Sequence, residues 1–202
     1  MATDTDIVNI ALRRIGATRI TSLASDTSKE AQVARDLFPE VRRDCLNLHT
    51  WNFAIKRAQL TASATDPTFG YDFAYPLPDD FIRMVSVHPH DDDEASVPYR
   101  LEYQEGDDRV LLTNSNQIYI RYVFDLDDVN VWSAAFRDVL AFQLARDLGA
   151  ALGLSASLAE LTDRAFHRKL ARAKAIDGVE DWSETMAEGS WLTSRHPDVS
   201  RA

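Results

Sequence analysis

A single cysteine, Cys45, leaves no internal disulfide framework to staple the fold. Set among the apolar positions of a helical segment, it reads as a small buried hydrophobe, and a reducing compartment is its natural setting. No stretch approaches the ~18 apolar residues of a membrane span. The opening Met-Ala-Thr-Asp-Thr-Asp has neither a basic flank nor an apolar core, so no secretory signal is expected there. There is no glycine-rich phosphate loop, no Gly-x-Ser-x-Gly elbow and no spaced Cys/His quartet. Those gaps remove the usual signatures of nucleotide, acyl-transfer and zinc chemistry.

The 202 residues suffice for one sizeable domain, or for one domain carrying an insertion. A chain of this size buries about 70% of its unfolded surface. With 45% hydrophobic and 27% charged residues it has the make-up of a soluble globular protein. The net charge of −10 is unevenly spread. Between Tyr71 and Asp128 there are 14 acids against four bases, Arg83, Arg100, Arg109 and Arg121, so this segment carries the whole −10. The remainder has 18 of each sign and is neutral. The pattern predicts a balanced helical body and an acidic, strand-rich insertion. Tight nucleic-acid binding needs clustered Lys and Arg, and the insertion offers the opposite.

The spacing of Ile7, Ile10, Ala11 and Ile15 predicts a helix over 4–15, capped by Asp4 or Thr5 and stopped at Gly16. A second helix, 28–48, begins at Ser28 or Thr27. Its apolar face is Ala31, Ala34, Phe38, Val41, Cys45 and Leu48, with Leu37 alongside. Pro39 lies inside it and predicts a kink or a restart. From Tyr71 the pattern changes to strands: 81–87, 99–103, 110–113 and 117–124, three to five short antiparallel strands that must lean on the helices. Helical spacing resumes at Ser133, with Phe136, Val139, Leu140, Gln143, Leu144 and Leu148 as one stripe weakening at Gly149 and Gly153. Ser157 with Glu160 forms a capping-box pattern for a fourth helix ending at Gly178, with Leu158, Leu161, Ala165 and Leu170 inward. Arg164, Arg168 and Arg172 then line its other side. The fold class is α+β: an antiparallel helical bundle (1–60 and 129–178), a small acidic antiparallel β-domain (61–128), and an extended or partly helical tail (179–202).

Three places could carry chemistry. His88, His90 and the acids Asp91 to Glu94 are possible metal ligands, although an acidic loop between strands is ordinarily solvated surface. Asp79 and Asp80 pair two carboxylates, but Pro-Asp-Asp before a strand is turn chemistry. His49 lies four residues from Cys45 with no third group to orient it. No catalytic residue, cofactor site or metal site is assigned. Trp51, Phe53, Trp132 and Phe136 are expected in the core where body meets insertion. Trp182 and Trp191 suit core packing or an intersubunit anchor equally. The arginine row is either a solvated face or a contact with the acidic insertion of a neighbouring subunit.

Taken in order, several segments resemble one family. Ile-Val-Asn-Ile-Ala-Leu-Arg-Arg-Ile-Gly (7–16), Ile-Thr-Ser-Leu (20–23) and Ser-Lys-Glu-Ala-Gln-Val-Ala (28–34) open the series. Trp-Asn-Phe-Ala (51–54), Tyr-Pro-Leu-Pro-Asp-Asp-Phe-Ile-Arg (75–83) and Phe-Arg-Asp-Val-Leu-Ala-Phe-Gln-Leu-Ala (136–145) complete it. Across residues 4–176 the chain is similar to the tail tubular protein A, or head-to-tail adaptor, family of short-tailed bacteriophages. The 88–96 loop and the residues beyond 177 depart from the pattern. The resemblance implies a non-enzymatic virion protein at the head–tail junction, assembled in the host cytoplasm, with no cofactor. It implies a dodecameric ring beneath the portal protein, a platform for the tail nozzle protein, and a channel the genome crosses without specific binding. It also implies that the C-terminal segment orders against the portal, making Trp182, Met186, Trp191, Leu192 and Arg195 the contact candidates; the arginine row, Arg164, Arg168 and Arg172, read from its own spacing and charge, supplies the subunit-interface candidates. A competing reading is an acidic protein-binding adaptor that forms no ring; a third is a metal-dependent hydrolase built on His88 and His90.

Overall fold

The computed structural model describes residues 2–90, 96–106, 108–153 and 155–180. Helix α1, Asp4–Arg14, starts at a reciprocal cap one residue earlier than expected. The Thr3 hydroxyl accepts from the Asp6 N–H, and the Asp6 carboxylate accepts from the Thr3 N–H at 3.0 Å. Thr5 instead accepts from the Leu23 N–H, fixing the connector beneath α1. Helix α2, Lys29–Asn47, is capped by Ser28 and runs through Pro39 without restarting. Pro39 is exposed, while Ala31, Ala34, Phe38, Val41 and Cys45 are buried below it, so the packed face carries the helix past one missing hydrogen bond. At its end Leu46, not Leu48, is the buried leucine; Leu48 is 39% exposed because the helix ends at Asn47 and the stripe turns away.

Helix α3, Ala134–Leu152, is capped by Ser133 and closed by Gly153 in the left-handed region, φ +82°. It is buried nearly all round, and it packs on α1, α2 and α4, which is why its apolar stripe is wide. Helix α4, Ala156–Glu180, begins before the Ser157 box expected from sequence and passes through Gly178. The Ser155 carbonyl accepts the first helical N–H groups, from Leu158 and Ala159, and leaves Ser157 inside the first turn. Its buried positions are Thr162, Phe166, Ala173 and Asp177. Leu161, expected inward, is 62% exposed, since the face that meets α3 is rotated from the leucine spacing.

Among the described residues six strands form two three-stranded antiparallel sheets, one more strand than the upper expectation. In the first, β1 (Ile55–Leu60), β6 (Ile118–Phe124) and β3 (Phe81–His88) lie in the order β1-β6-β3. In the second, β2 (Phe73–Pro76), β5 (Asp108–Thr113) and β4 (Arg100–Gln104) lie in the order β2-β5-β4. Residues 55–60, counted from sequence with the helical body, therefore pair with residues 118–123. Pro76 is accommodated at the end of an edge strand, where a missing donor costs least.

The sheets meet face to face over Tyr75 and Leu111 from one and Phe81, Val87, Ile118, Ile120 and Tyr122 from the other. The pairing of β3 with β6 skips Ile82 and Val85. These two residues pack on the helical core, so the bulges deliver side chains to the opposite face that regular alternation would have sent elsewhere. Around Phe136 three further rings gather: Trp51, Phe53 and Trp132 lie 5.2, 5.0 and 5.4 Å away between centroids. The aromatic junction expected from sequence is thus in place, and Val123 and Ala54 extend it into the first sheet. Arg42 closes the same junction on the outside, donating to the Asp125 carboxylate at 2.8 Å.

Candidate assembly surface

Arg164, Arg168 and Arg172 are all exposed on α4, with Arg172 nearest to α3. Arg164 reaches the Glu160 carboxylate one turn back at 3.2 Å, an exposed pair of little energetic consequence. Arg168 and Arg172 have no ion pair among the described residues. Arg172 lies at the mouth of a shallow groove between α3 and α4, floored by Ala134, Ala135 and Ala173. The neighbouring cations are committed to the fold. Lys169 donates to Asp138 at 2.7 Å, and Arg14 bonds the same carboxylate while stacking on the Phe142 ring at 3.6 Å. Burial pushes the Asp138 carboxyl up, but the bonds from Lys169 and Arg14 outweigh it and hold the group below its ordinary value. This cluster ties α1, α3 and α4 into one body.

The end of α4 is fixed by a buried carboxylate. Asp177 is 5% exposed, and it accepts from the Asn52 backbone N–H at 3.3 Å and faces His49 Nε2 at 3.1 Å. Its own carbonyl accepts from Asn52 Nδ2 at 2.8 Å, satisfying a group the helix terminus would leave open. Burial raises its pKa despite the bonds from Asn52 and His49, with Glu180 adding to the rise. Asp177 therefore pins the last turns of α4 to the segment after α2. Neither His49 nor Asp177 was expected in this role; the signal available was a carboxylate at position 177, in step with the buried 162, 166 and 173. The portal-contact candidates Trp182, Met186, Trp191, Leu192 and Arg195 lie just beyond, outside the described residues.

Several members of the three chemical candidates have structural partners. Asp80 accepts from Lys56 Nζ at 2.8 Å and from the Tyr122 hydroxyl at 2.9 Å, tying the turn before β3 to β1 and β6. Cys45 is buried, and burial pushes its thiol well above the ordinary range, away from nucleophilic use. Its backbone carbonyl accepts from Trp51 Nε1 at 2.9 Å, while His49 is engaged with Asp177. His88 is buried with Nε2 2.8 Å from the Ser86 hydroxyl, and His90 is exposed. Asp91 to Glu94 lie outside the described residues. Among the described residues no three His, Cys, Asp or Glu side chains gather where they could hold one metal ion. No helix among them is long and apolar enough to cross a membrane.

The second sheet presents its own surface. β4 is an edge strand whose Arg100 to Tyr103 are all exposed. Beside it the 67–71 loop arches over Val110 and Leu112 and leaves Phe69 85% exposed.

A sequence profile of the tail tubular protein family matches residues 5–120, more than half of the chain. A search of curated proteins returned no match. The matched span takes in α1, α2, both three-stranded sheets as far as the first turn of β6, and the Trp51 junction that joins them. An α+β body with its chemistry absorbed into packing, and its unused residues concentrated on exposed helix and sheet faces, accords with a part made for assembly. The chain belongs to the tail tubular protein family, structural components of the phage tail that assemble with other proteins of the virion.

Proposed function

We infer that the protein is the head-to-tail connector, assembling side by side with its own copies into a ring beneath the portal and presenting a platform to the tail nozzle. The observation that carries this reading is the pairing of unlike surfaces on one chain. Residues 1–60 and 129–178 hold 16 bases against 12 acids and expose Arg164, Arg168 and Arg172, whereas residues 71–128 carry a net −10. Rings need a heterologous contact in which one patch meets a different patch on the next copy. A dodecamer matches a portal ring of the same order. Acidic side chains toward a channel repel phosphates, letting the genome pass without adhesion. The work is geometric, with no bond made or broken and no cofactor.

In this reading the division of labour follows the chain: residues 1–60 and 129–178 form the stacking body, 61–128 the acidic insertion, and 179–202 the portal-binding tail. Trp182, Met186, Trp191, Leu192 and Arg195 supply its aromatic, apolar and cationic contacts. The Asp177 anchor fixes where that tail leaves the body. The test is electron microscopy of the protein mixed with a dodecameric portal, repeated with residues 179–202 deleted. The full chain is expected to add a closed ring to the portal, and the truncated chain to remain folded but unattached. Undiminished attachment of the truncation overturns the tail assignment, and the absence of any ring from the full chain overturns the connector reading.

A further inference from the structure

A recess of about 300 Å³ opens on the outer side of the second sheet, at the lower end of the sizes that hold ligands. Val110 and Leu112 form its floor, Phe69 stands on one side and strand β4 on the other, and Glu102 and Glu105 line its rim. Its walls are fixed. Gln104 Nε2 donates to the Thr65 carbonyl at 2.9 Å on one side, and the Asp72 N–H donates to Asn114 Oδ1 at 3.1 Å on the other. Phe69 and Tyr103 stand 85% and 72% exposed, so the fold leaves two aromatic rings in water that its own packing does not use. Both rim carboxylates are exposed and have no ion pair among the described residues.

This combination selects one ligand chemistry. An anion meets two carboxylates and is repelled. A neutral apolar group covering the recess strips water from those carboxylates with no partner in return. A cation on a long side chain satisfies both parts, its charge over the electron-rich Phe69 ring and its N–H groups on the carboxylates. A planar guanidinium does both at once, which a lysine ammonium does less well. Around α4 the other cations are engaged: Arg14 and Lys169 with Asp138, Arg146 with Asp163, Arg164 with Glu160. Arg168 and Arg172 are the exposed pair left on the row, one helical turn and about 6 Å apart along the axis.

We propose that the recess between the 67–71 loop and β4 receives the guanidinium of Arg168 from a second copy of this chain, with Arg172 of that copy meeting the Glu102–Glu105 rim. The proposal rests on the side-by-side assembly argued above and names the seat at which unlike patches engage. Two measurements test it. In the first, the isotope-labelled full chain is titrated with N-acetyl-arginine methylamide and with its uncharged isostere, N-acetyl-citrulline methylamide. The arginine probe is expected to shift backbone signals of residues 68–71 and 102–105, and the citrulline probe to leave them in place. Glu102→Gln with Glu105→Gln is expected to abolish the response, and Phe69→Ala to weaken binding by about two- to fivefold, the worth of one exposed cation–π contact. Equal shifts from both probes overturn the proposal.

The second measurement is sedimentation velocity with electron microscopy of portal-assembled rings. Glu102→Arg with Glu105→Arg, or Arg168→Glu with Arg172→Glu, is expected to abolish side-by-side association. Both reversals on one chain are expected to restore it. Rings that survive either reversal alone overturn this inference and leave the connector reading standing. A wild-type chain that binds the arginine probe yet never associates overturns the second copy as occupant together with the ring.

Discussion

Truncating Asp177 to alanine tests what holds the end of α4 against the rest of the body. The ionised carboxylate only accepts hydrogen bonds, so His49 must carry its proton on Nε2 to meet it at 3.1 Å, and the Asn52 N–H is the second donor. Alanine leaves both donors without their acceptor in a partly buried site, at a cost of up to roughly 1–3 kcal/mol each. Two effects offset that sum. A charge whose burial raises its pKa no longer has to be kept from solvent, and the bond from Asn52 Nδ2 to the residue 177 carbonyl survives because it uses main chain. A net loss of about 2 kcal/mol remains, which lowers the melting temperature of a protein this size by about 4–8 °C.

The loss is local in origin, so hydrogen exchange localises it. Amides of residues 173–180 are expected to exchange about 30-fold faster in Asp177→Ala, while those of α1 change only as far as global stability falls. Asp177→Asn keeps an oxygen for the Asn52 N–H and turns an amide donor to His49, which accepts it in the other tautomer; a loss under about 1 kcal/mol is expected. An alanine variant that melts within about 1 °C of the parent with unchanged exchange at 173–180 refutes the anchor, and the α3 contact alone would then hold the helix end.

Asp138 gives the pH dependence. Its folded pKa lies below the unfolded value, so the stability it contributes is present above about pH 4 and drains away as pH falls through the lowered value. Acid titration of unfolding should therefore show a steeper loss below about pH 4 in the parent than in Asp138→Asn, and parallel curves refute the assignment. Phe136→Ala empties the centre of a four-ring cluster at a fully buried position and is expected to cost about 3–5 kcal/mol in urea unfolding. A smaller loss means that Trp51 and Trp132 collapse into the space.

Where burial imposes a period, the sequence predicts the fold closely. The faces of α1, α2 and α3 follow from Ile7 and Ala11, from Ala31, Ala34, Phe38, Val41 and Cys45, and from Phe136 to Leu148, because an inward stripe must repeat with the helical turn. The failures share a cause in tertiary context. β1 is hidden because Lys56, Arg57 and Gln59 alternate with residues that are only half covered, so its period-two signal is weak. β2 is hidden by Pro76, admissible only at the edge position that the sheet order creates. In α4 the leucines mislead because Thr162 and Asp177 take inward positions, one bonding back to its own helix at the Leu158 carbonyl and the other bonding across to Asn52. A polar residue can be buried wherever its partners are built around it, and those of Asp177 lie far along the chain.

The surface follows a different logic, and this explains why its residues carried so little signal. A side chain destined for a neighbouring subunit is exposed in the single chain, so selection on it leaves no trace in the period of its own helix or strand. Arg168 is indistinguishable by spacing from any solvated arginine, and Phe69 follows a proline–threonine turn with no periodic neighbours. What separates them is the state of their surroundings once folded. Lys169 and Arg164 have carboxylates of their own while Arg168 and Arg172 have none among the described residues, and Tyr71 and Phe73 are half covered while Phe69 is not. An interface residue is thus recognised by a deficit that only the folded chain exposes. The sign of that deficit, cationic on α4 and anionic with the Phe69 ring beside β4, is also what makes the two surfaces suited to each other and neither suited to a second patch of its own kind.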